Sequence, residues 1–189
     1  MEHATFGVLG PVEVRPPGAA PAPLAPSVRS LLARLVLAPG RVVSVDALTD
    51  ALWGEDLPGD AANALQLRVS KLRRALVAAG ISGDVLVTQA PGYRLAVDPE
   101  AVDAVRFERL LTRARALDGD PAAALAVIEE ALGLWRGQAL ADVGDAEWAA
   151  GQTAKEMAAL DEVATRIGYR NSLEAAGRAE APSDEGIAR

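Results

Sequence analysis

The sequence NALQLRVSKLRRAL, at residues 63 to 76, decides the fold of the first half of the chain. On a helix at about 100° per residue, four apolar residues fall within about 60° of one another, which predicts a narrow buried face. They are Leu65, Val69, Leu72 and Leu76. The opposite side carries Asn63, Leu67, Ser70, Lys71 and Arg74, with Gln66, Arg68 and Arg73 on the flanks, and no acidic side chain interrupts it.

This outer face suits the DNA major groove. Arginine and lysine can bind guanine or phosphate, asparagine and glutamine match adenine, and an apolar tip can contact a thymine methyl group. A solvated basic helix surface has a similar composition, so the helix alone leaves both interpretations open. The surrounding sequence favours contact with DNA.

The composition indicates a globular protein. The chain has 189 residues, half of them apolar, and no cysteine. Its length allows one large domain or two small ones. The lack of cysteine excludes a disulfide scaffold and a cysteine-ligated metal. The sequence shows no signal peptide and no apolar run long enough for a membrane span, so we expect a cytoplasmic protein without a membrane partner.

The charge of the chain is unevenly distributed. The total is −7, yet residues 1–98 contain nine basic and nine acidic residues, while the remainder contains ten and seventeen. Four of the first nine cations lie between Arg68 and Arg74. A local basic footprint on a neutral domain can bind phosphates, although its small total charge predicts modest affinity for a single copy.

The first half predicts strands, three helices and a hairpin. Two short strands within residues 4 to 15 join at Gly10-Pro11, a proline-rich loop follows, and a short strand is expected near Leu24. The first helix covers residues 28 to 37, the second ends after Trp53, and Gly80 closes the basic third helix. Their predicted N-caps are Ser27, Ser44 and Asp60. Strands at residues 85–89 and 93–97 then flank a turn at residues 90–92. This order describes a winged helix, a helix-turn-helix variant with a β wing.

Helical periodicity governs the second half. One helix has Phe107, Leu110, Leu111 and Ala114 on its inner face, and the next has Ala124, Val127, Ile128, Ala131 and Trp135. Asp120 and Pro121 form the N-cap and first position of the second helix. The two form an αα-hairpin, the unit of tetratricopeptide-type solenoids. A third helix is expected over residues 146–176, ended by Gly177, with Met157, Leu160, Ala164 and Ile167 on one side.

These motifs resemble a known family. LGPVEV, RVVSVDALTDALWGE, NALQLRVSKLRRAL and VTQAPGYRL are similar to the OmpR-type winged helix, the effector domain type of two-component systems, as found in the Streptomyces antibiotic regulatory protein family. VDAVRFERLLTRARA, GDPAAALAVIEEALGLWRG and ALADV resemble the start of the bacterial transcriptional activator domain that follows it in that family. The resemblance implies an α+β winged helix followed by an all-α tetratricopeptide-like domain.

The expected domains are a winged helix at residues 1–98 and a partial activator domain at residues 99–180. A disordered tail is expected at residues 181–189. Further helical repeats would follow Gly177 in the family, but the remaining sequence is polar and lacks apolar periodicity. An incomplete solenoid leaves an apolar helix face without its usual neighbour. Either the sequence is a shortened form, or that face binds a partner, for instance a second copy in a homodimer.

Matching positions with the OmpR-type pattern implies the DNA-contacting residues. Base-facing roles are expected for Asn63, Gln66, Leu67, Arg68 and Lys71, and phosphate contacts for Ser70, Arg73 and Arg74. In the wing, Thr88, Tyr93 and Arg94 are candidates for backbone or minor-groove contact.

Two of the aromatic assignments stay open. The Trp53 indole N–H could donate to a phosphate, or the ring could pack between the second and third helices. Tyr93 could instead pack under the hairpin. Related wings often carry arginine where this chain has Gln89, so wing affinity is expected to be reduced.

The resemblance implies a transcriptional activator of secondary-metabolite (antibiotic) clusters. It would bind direct repeats in double-stranded DNA near promoters, with copies arranged head to tail and in contact with RNA polymerase holoenzyme. The alternative is a protein-interaction module, in which the helical half binds a partner and the winged helix is mainly a scaffold. Since His3 is the only histidine, no histidine-based metal or triad chemistry is proposed. Neither an enzyme nor a cofactor is expected.

Overall fold

The computed structural model describes residues 4–117, 119–143, 151, 154–155 and 157–159. The described helices and strands are β1 (Thr5–Gly7), β2 (Glu13–Arg15), α1 (Pro26–Val36), β3 (Val42–Ser44), α2 (Val45–Trp53), α3 (Ala61–Ala78), β4 (Leu86–Gln89), β5 (Gly92–Leu95), α4 (Asp103–Ala116) and α5 (Pro121–Leu132). Short 3-10 turns lie at Gly83–Val85 and Pro99–Ala101. The predicted architecture, a winged helix followed by helices, is confirmed.

Helix α3 has the predicted inner face and the predicted start. Leu65, Val69, Leu72 and Leu76 are at most 2% exposed. The Asp60 carboxylate accepts a hydrogen bond from the Asn63 backbone N–H at 3.0 Å, which satisfies one of the free donors of the first turn. With 18 residues, the helix is about 27 Å long, sufficient for its outer face to cross a DNA groove.

The wing belongs to a three-stranded antiparallel sheet of order β3-β5-β4. In it, β5 is the central strand, with Tyr93 opposite Val43 on one side and opposite Thr88 on the other. A side chain at Gly92 would collide with the Val43 carbonyl oxygen. This strand pairing therefore requires glycine at the start of β5, where the chain leaves the turn of the wing.

Three details of the predicted winged helix are wrong. Helix α1 begins at Pro26 after Ala25, without a side-chain cap, so Ser27 lies inside its first turn. Proline is well suited to this place because its φ is already helical. Leu24 is buried but belongs to no strand. Strand β3 was not predicted. Val42 and Val43 favour a strand, but three residues are too few to show the alternation of a half-buried strand, and the partner β5 is distant in sequence.

The two helices of the second half pack as a hairpin, with all eight predicted inner residues from Phe107 to Ala131 buried. Asp120 caps α5 through the Ala123 N–H at 3.0 Å, as predicted. Trp135, however, lies beyond the end of α5, where its ring meets Phe107 edge-on at a centroid distance of 5.6 Å. Most of the predicted third helix and the predicted tail lie outside the described residues.

The β1–β2 hairpin joins the two halves. The Asp103 carboxylate at the start of α4 accepts hydrogen bonds from the backbone N–H groups of Val8 and Leu9, at 2.8 and 3.0 Å. Arg136 pairs with the same carboxylate at 3.0 Å and donates from its backbone to the Leu9 carbonyl. Apolar residues from β1 to α5 form one continuous core beneath these contacts. The helical hairpin is therefore packed against the winged helix through β1 and β2.

Candidate nucleic-acid interface

The outer face of α3 is open to solvent over its length. Its exposed side chains are Asn63, Gln66, Leu67, Ser70, Lys71 and Arg74. Leu67 is 53% exposed, although leucine is normally placed inside a protein. The inner and outer faces follow from the same periodicity, because the leucine and valine stripe holds the opposite side of the helix in the core.

The cations on this outer face have few partners within the protein. Lys71 makes no hydrogen bond or ion pair among the residues that the structure describes. Within the same described residues, Arg74 makes only a long hydrogen bond, 3.4 Å, to the Ser70 carbonyl of its own helix. Because α3 carries no carboxylate, these charges are not neutralised along the helix. They can bind an external anion without breaking an internal ion pair.

Arg68 is held differently. The central carbon of its guanidinium group lies 4.3 Å from the centroid of the Trp53 ring, the geometry of a cation–π contact. Partial burial lowers the pKa of Arg68, because the charged form loses hydration there. Trp53 is the last residue of α2 and packs against the core, so the core-packing alternative describes its position.

Arg73 connects α3 to the wing. Its Nε and Nη2 donate to the Leu86 carbonyl oxygen at 3.1 and 2.8 Å, and Nη2 also donates to the Thr88 hydroxyl at 2.8 Å. The structure thus brings together two residues that were predicted separately, one on the helix and one on the wing. These bonds leave only Nη1 for the predicted phosphate contact.

The wing presents fewer of the predicted residues. Thr88 and Gln89 are exposed, and Arg94 Nε donates to the Gln89 amide oxygen at 3.1 Å. Tyr93 is only 7% exposed and belongs to the core, so its alternative placement under the hairpin is the correct one. Tyr93 lies on the inner face of the sheet beside its buried partner Val43, so we do not place it among the proposed DNA contacts.

Sequence reasoning missed one neighbour of the wing. The backbone N–H of Val45, the first residue of α2, donates to the Pro91 carbonyl at 3.0 Å. The wing tip is therefore continuous with the start of α2. No local pattern marks this contact, because it depends on the pairing of β3 with β5.

Within the described ranges, no cluster of three potential metal ligands is present. None of the helices described is both long and apolar enough to cross a lipid bilayer.

Two family models match consecutive parts of the chain. "Transcriptional regulatory protein, C terminal" matches residues 19–95, which contain α1 to α3 and the wing. "Bacterial transcriptional activator domain" matches residues 102–186, which contain α4 and α5. Both descriptions indicate a transcriptional regulator rather than an enzyme.

Curated relatives give the same indication. The chain is 34% identical over 173 residues to the transcriptional regulator RedD of Streptomyces coelicolor, an alignment covering 87% of this chain and 49% of RedD. It is 39% identical over 146 residues to the regulatory protein DnrI of Streptomyces peucetius, covering 73% of this chain and 54% of DnrI. The chain thus spans about half the length of these relatives.

A solved structure has the same fold. EmbR of Mycobacterium tuberculosis, in complex with a low affinity phosphopeptide, superposes with a TM-score of 0.79 and 32% identity, over 95% of this chain and 50% of EmbR. The winged helix, the activator domain and these relatives together show that the chain belongs to the Streptomyces antibiotic regulatory protein family of transcriptional regulators.

Proposed function

We propose that this regulator reads a specific promoter sequence with the outer face of α3 and activates a secondary-metabolite gene cluster in the cytoplasm. The observation that carries the proposal is the open, acid-free face of α3 with unneutralised cations at Lys71 and Arg74. An α-helix with its side chains is about 10–12 Å across, which fits the major groove of about 12 Å, and the apolar and polar side chains on this face suit base edges.

The contacts divide into base readout and phosphate positioning. Base readout falls to five residues between the first turn and the middle of α3: Asn63, Gln66, Leu67, Arg68 and Lys71. Phosphate positioning falls to Ser70 and Arg74, with Thr88 and Arg94 in the wing. Arg73 contributes mainly by holding the wing against α3, and Nη1 remains for phosphate.

The partners proposed beyond DNA rest on family membership. Copies would bind direct repeats head to tail and contact RNA polymerase holoenzyme. A single winged helix with net charge near zero makes few phosphate contacts, so binding as two copies to adjacent repeats would raise the affinity.

Selection from a randomised double-stranded DNA library, at two salt concentrations, tests the proposal. We expect the unaltered chain to enrich a repeated motif and the Lys71→Ala, Arg74→Ala double variant to lose it. Arg113→Ala is the matched control, because Arg113 is an exposed cation on α4, outside the proposed interface.

Enrichment of the same motif by the double variant would refute the proposed interface. If the unaltered chain enriches nothing even at low salt, it does not read DNA alone. The interaction-module hypothesis would then be tested through protein partners of the helical half.

A further inference from the structure

The stacked pair Trp53 and Arg68 lies at the edge of the proposed interface, where α2 ends beside the middle of α3. The guanidinium carbon lies 4.3 Å from the ring centroid. The two residues are 15 positions apart and on different helices. A contact of this kind restricts a side chain that otherwise has many rotamers.

Arg68 differs from two of the other arginines near the interface in the use of its donors. Arg73 donates to Leu86 and Thr88, and Arg94 donates to Gln89. Arg68 makes no hydrogen bond or ion pair within the residues that the structure describes. Its face is held by the ring while its N–H groups stay available.

Helix α2 and the core fix the position of Trp53. Trp53 ends a helix that begins at the side-chain cap of Ser44, which accepts from the Ala47 N–H at 3.1 Å. The Gly54 N–H donates to the Asp50 carbonyl at 2.7 Å, which closes the last turn. The tryptophan ring also packs against the core. Its position is therefore set by the fold before any ligand is bound.

We infer that Trp53 is a positioning residue that holds the planar guanidinium of Arg68 for bidentate recognition of a guanine edge. The inference rests on the proposed function. Stacking leaves the edge of the guanidinium, with its forked donors, directed away from the ring. Guanine O6 and N7 in the major groove accept such a fork. Fixing the arginine beforehand reduces the ordering cost that would otherwise accompany recognition.

The experiment compares Trp53→Leu, which removes the π face but keeps apolar bulk, with Trp53→Phe, which keeps a smaller π face. The base read by Arg68 is first located as the position at which Arg68→Ala loses its guanine preference in the library selection. Affinities for sites with guanine or another base there are then measured over a range of salt concentrations, using the full chain. Thermal unfolding verifies that each variant is folded.

We expect Trp53→Leu to reduce guanine preference by about threefold to tenfold, with an unchanged salt slope, and Trp53→Phe to retain most of it. In an Arg68→Ala background, Trp53→Leu should cause no further loss of preference. If Trp53→Leu proves unfolded, Trp53→Phe should still show a smaller loss that disappears in the Arg68→Ala background.

Other results would overturn the inference. An equal loss for all sequences with a flatter salt slope would mean that Trp53 contacts phosphate. An unchanged guanine preference, or the same loss without Arg68, would mean that the stack has no role in readout. Failure of the unaltered chain to select any sequence would refute the proposed function, whereas selection without an effect at Trp53 would refute only this inference.

Discussion

At the junction between the β1–β2 hairpin and α4, Asp103 and Arg136 each contact several partners. On the outer face of α3, by contrast, Lys71 has no side-chain partner among the described residues and Arg74 has one long hydrogen bond. The Asp103 carboxylate accepts hydrogen bonds from two backbone N–H groups and pairs with one guanidinium group, and its side chain is only 13% exposed. The comparison separates charges that stabilise the fold from charges left available to a ligand. It also predicts opposite consequences of substitution in the two regions.

The largest effect on stability is expected from Asp103→Ala. The change leaves the N–H groups of Val8 and Leu9 without their acceptor and removes one of the two carboxylates that pair with Arg136, the other being that of Glu13. The free energy of unfolding should fall by about 2–4 kcal/mol, measured by urea denaturation. Asp50→Ala, which removes an exposed carboxylate from α2, is the control and should stay within about 0.5 kcal/mol. Equal effects of the two substitutions would show that the junction contributes no special stability.

Arg73→Ala tests a residue that combines both kinds of role. Loss of its bonds to Leu86 and Thr88 should lower the free energy of unfolding by about 1–3 kcal/mol and also weaken DNA binding, because the wing is no longer held. Denaturation and binding titrations measure the two effects. Arg74→Ala should leave stability nearly unchanged. If the Arg73→Ala protein were as stable as the unaltered chain, Arg73 would not hold the wing against α3.

Lys71→Ala should affect DNA recognition alone. Since Lys71 has no partner within the described part of the chain, stability should change by less than about 0.5 kcal/mol. Discrimination at one base pair should fall by about 1–3 kcal/mol, measured by competition between selected and singly altered sites. Uniform loss over all sites would reassign Lys71 to phosphate.

Arg74→Ala is expected to have the smallest and least sequence-dependent effect. Removing one phosphate contact should weaken binding to all sequences alike and reduce the slope of log affinity against log salt by about 0.9. Titrations at four or more salt concentrations measure this slope. If both affinity and slope are unchanged, the assignment of the outer face is wrong.

The helices of this fold could be predicted because their signals are local. The stripe Leu65, Val69, Leu72 and Leu76 depends only on helical periodicity, and the caps at Ser44, Asp60 and Asp120 act on backbone groups three residues away. Strand β3 gives a weaker signal, because its three residues are too few to show alternation and its partner β5 is distant in sequence. The start of α1 was misplaced for a different reason. Ser27 is a good N-cap residue, but Pro26 before it already occupies the first helical position.

The candidate site was predicted as a set of residues but not as an arrangement. Helical spacing was sufficient to place Gln66, Leu67 and Lys71 on one outer face. The contacts of Arg68 with Trp53 and of Arg73 with Thr88 join separate elements, so no spacing within the sequence reveals them. In the sequence Arg68 and Arg73 look alike, whereas in the structure Arg68 contacts Trp53 and Arg73 contacts Thr88.

The most direct test of the central claim compares two double variants on the selected DNA site. Lys71→Ala, Arg74→Ala removes two cations from α3, and Arg106→Ala, Arg113→Ala removes two exposed cations from α4. We predict that the first pair weakens binding to every sequence and lowers the preference for the selected site over a scrambled one by about 1–3 kcal/mol, whereas the second pair preserves both affinity and preference. Similar losses from both pairs, or retained preference in the first, would contradict the claim that the outer face of α3 reads the DNA sequence.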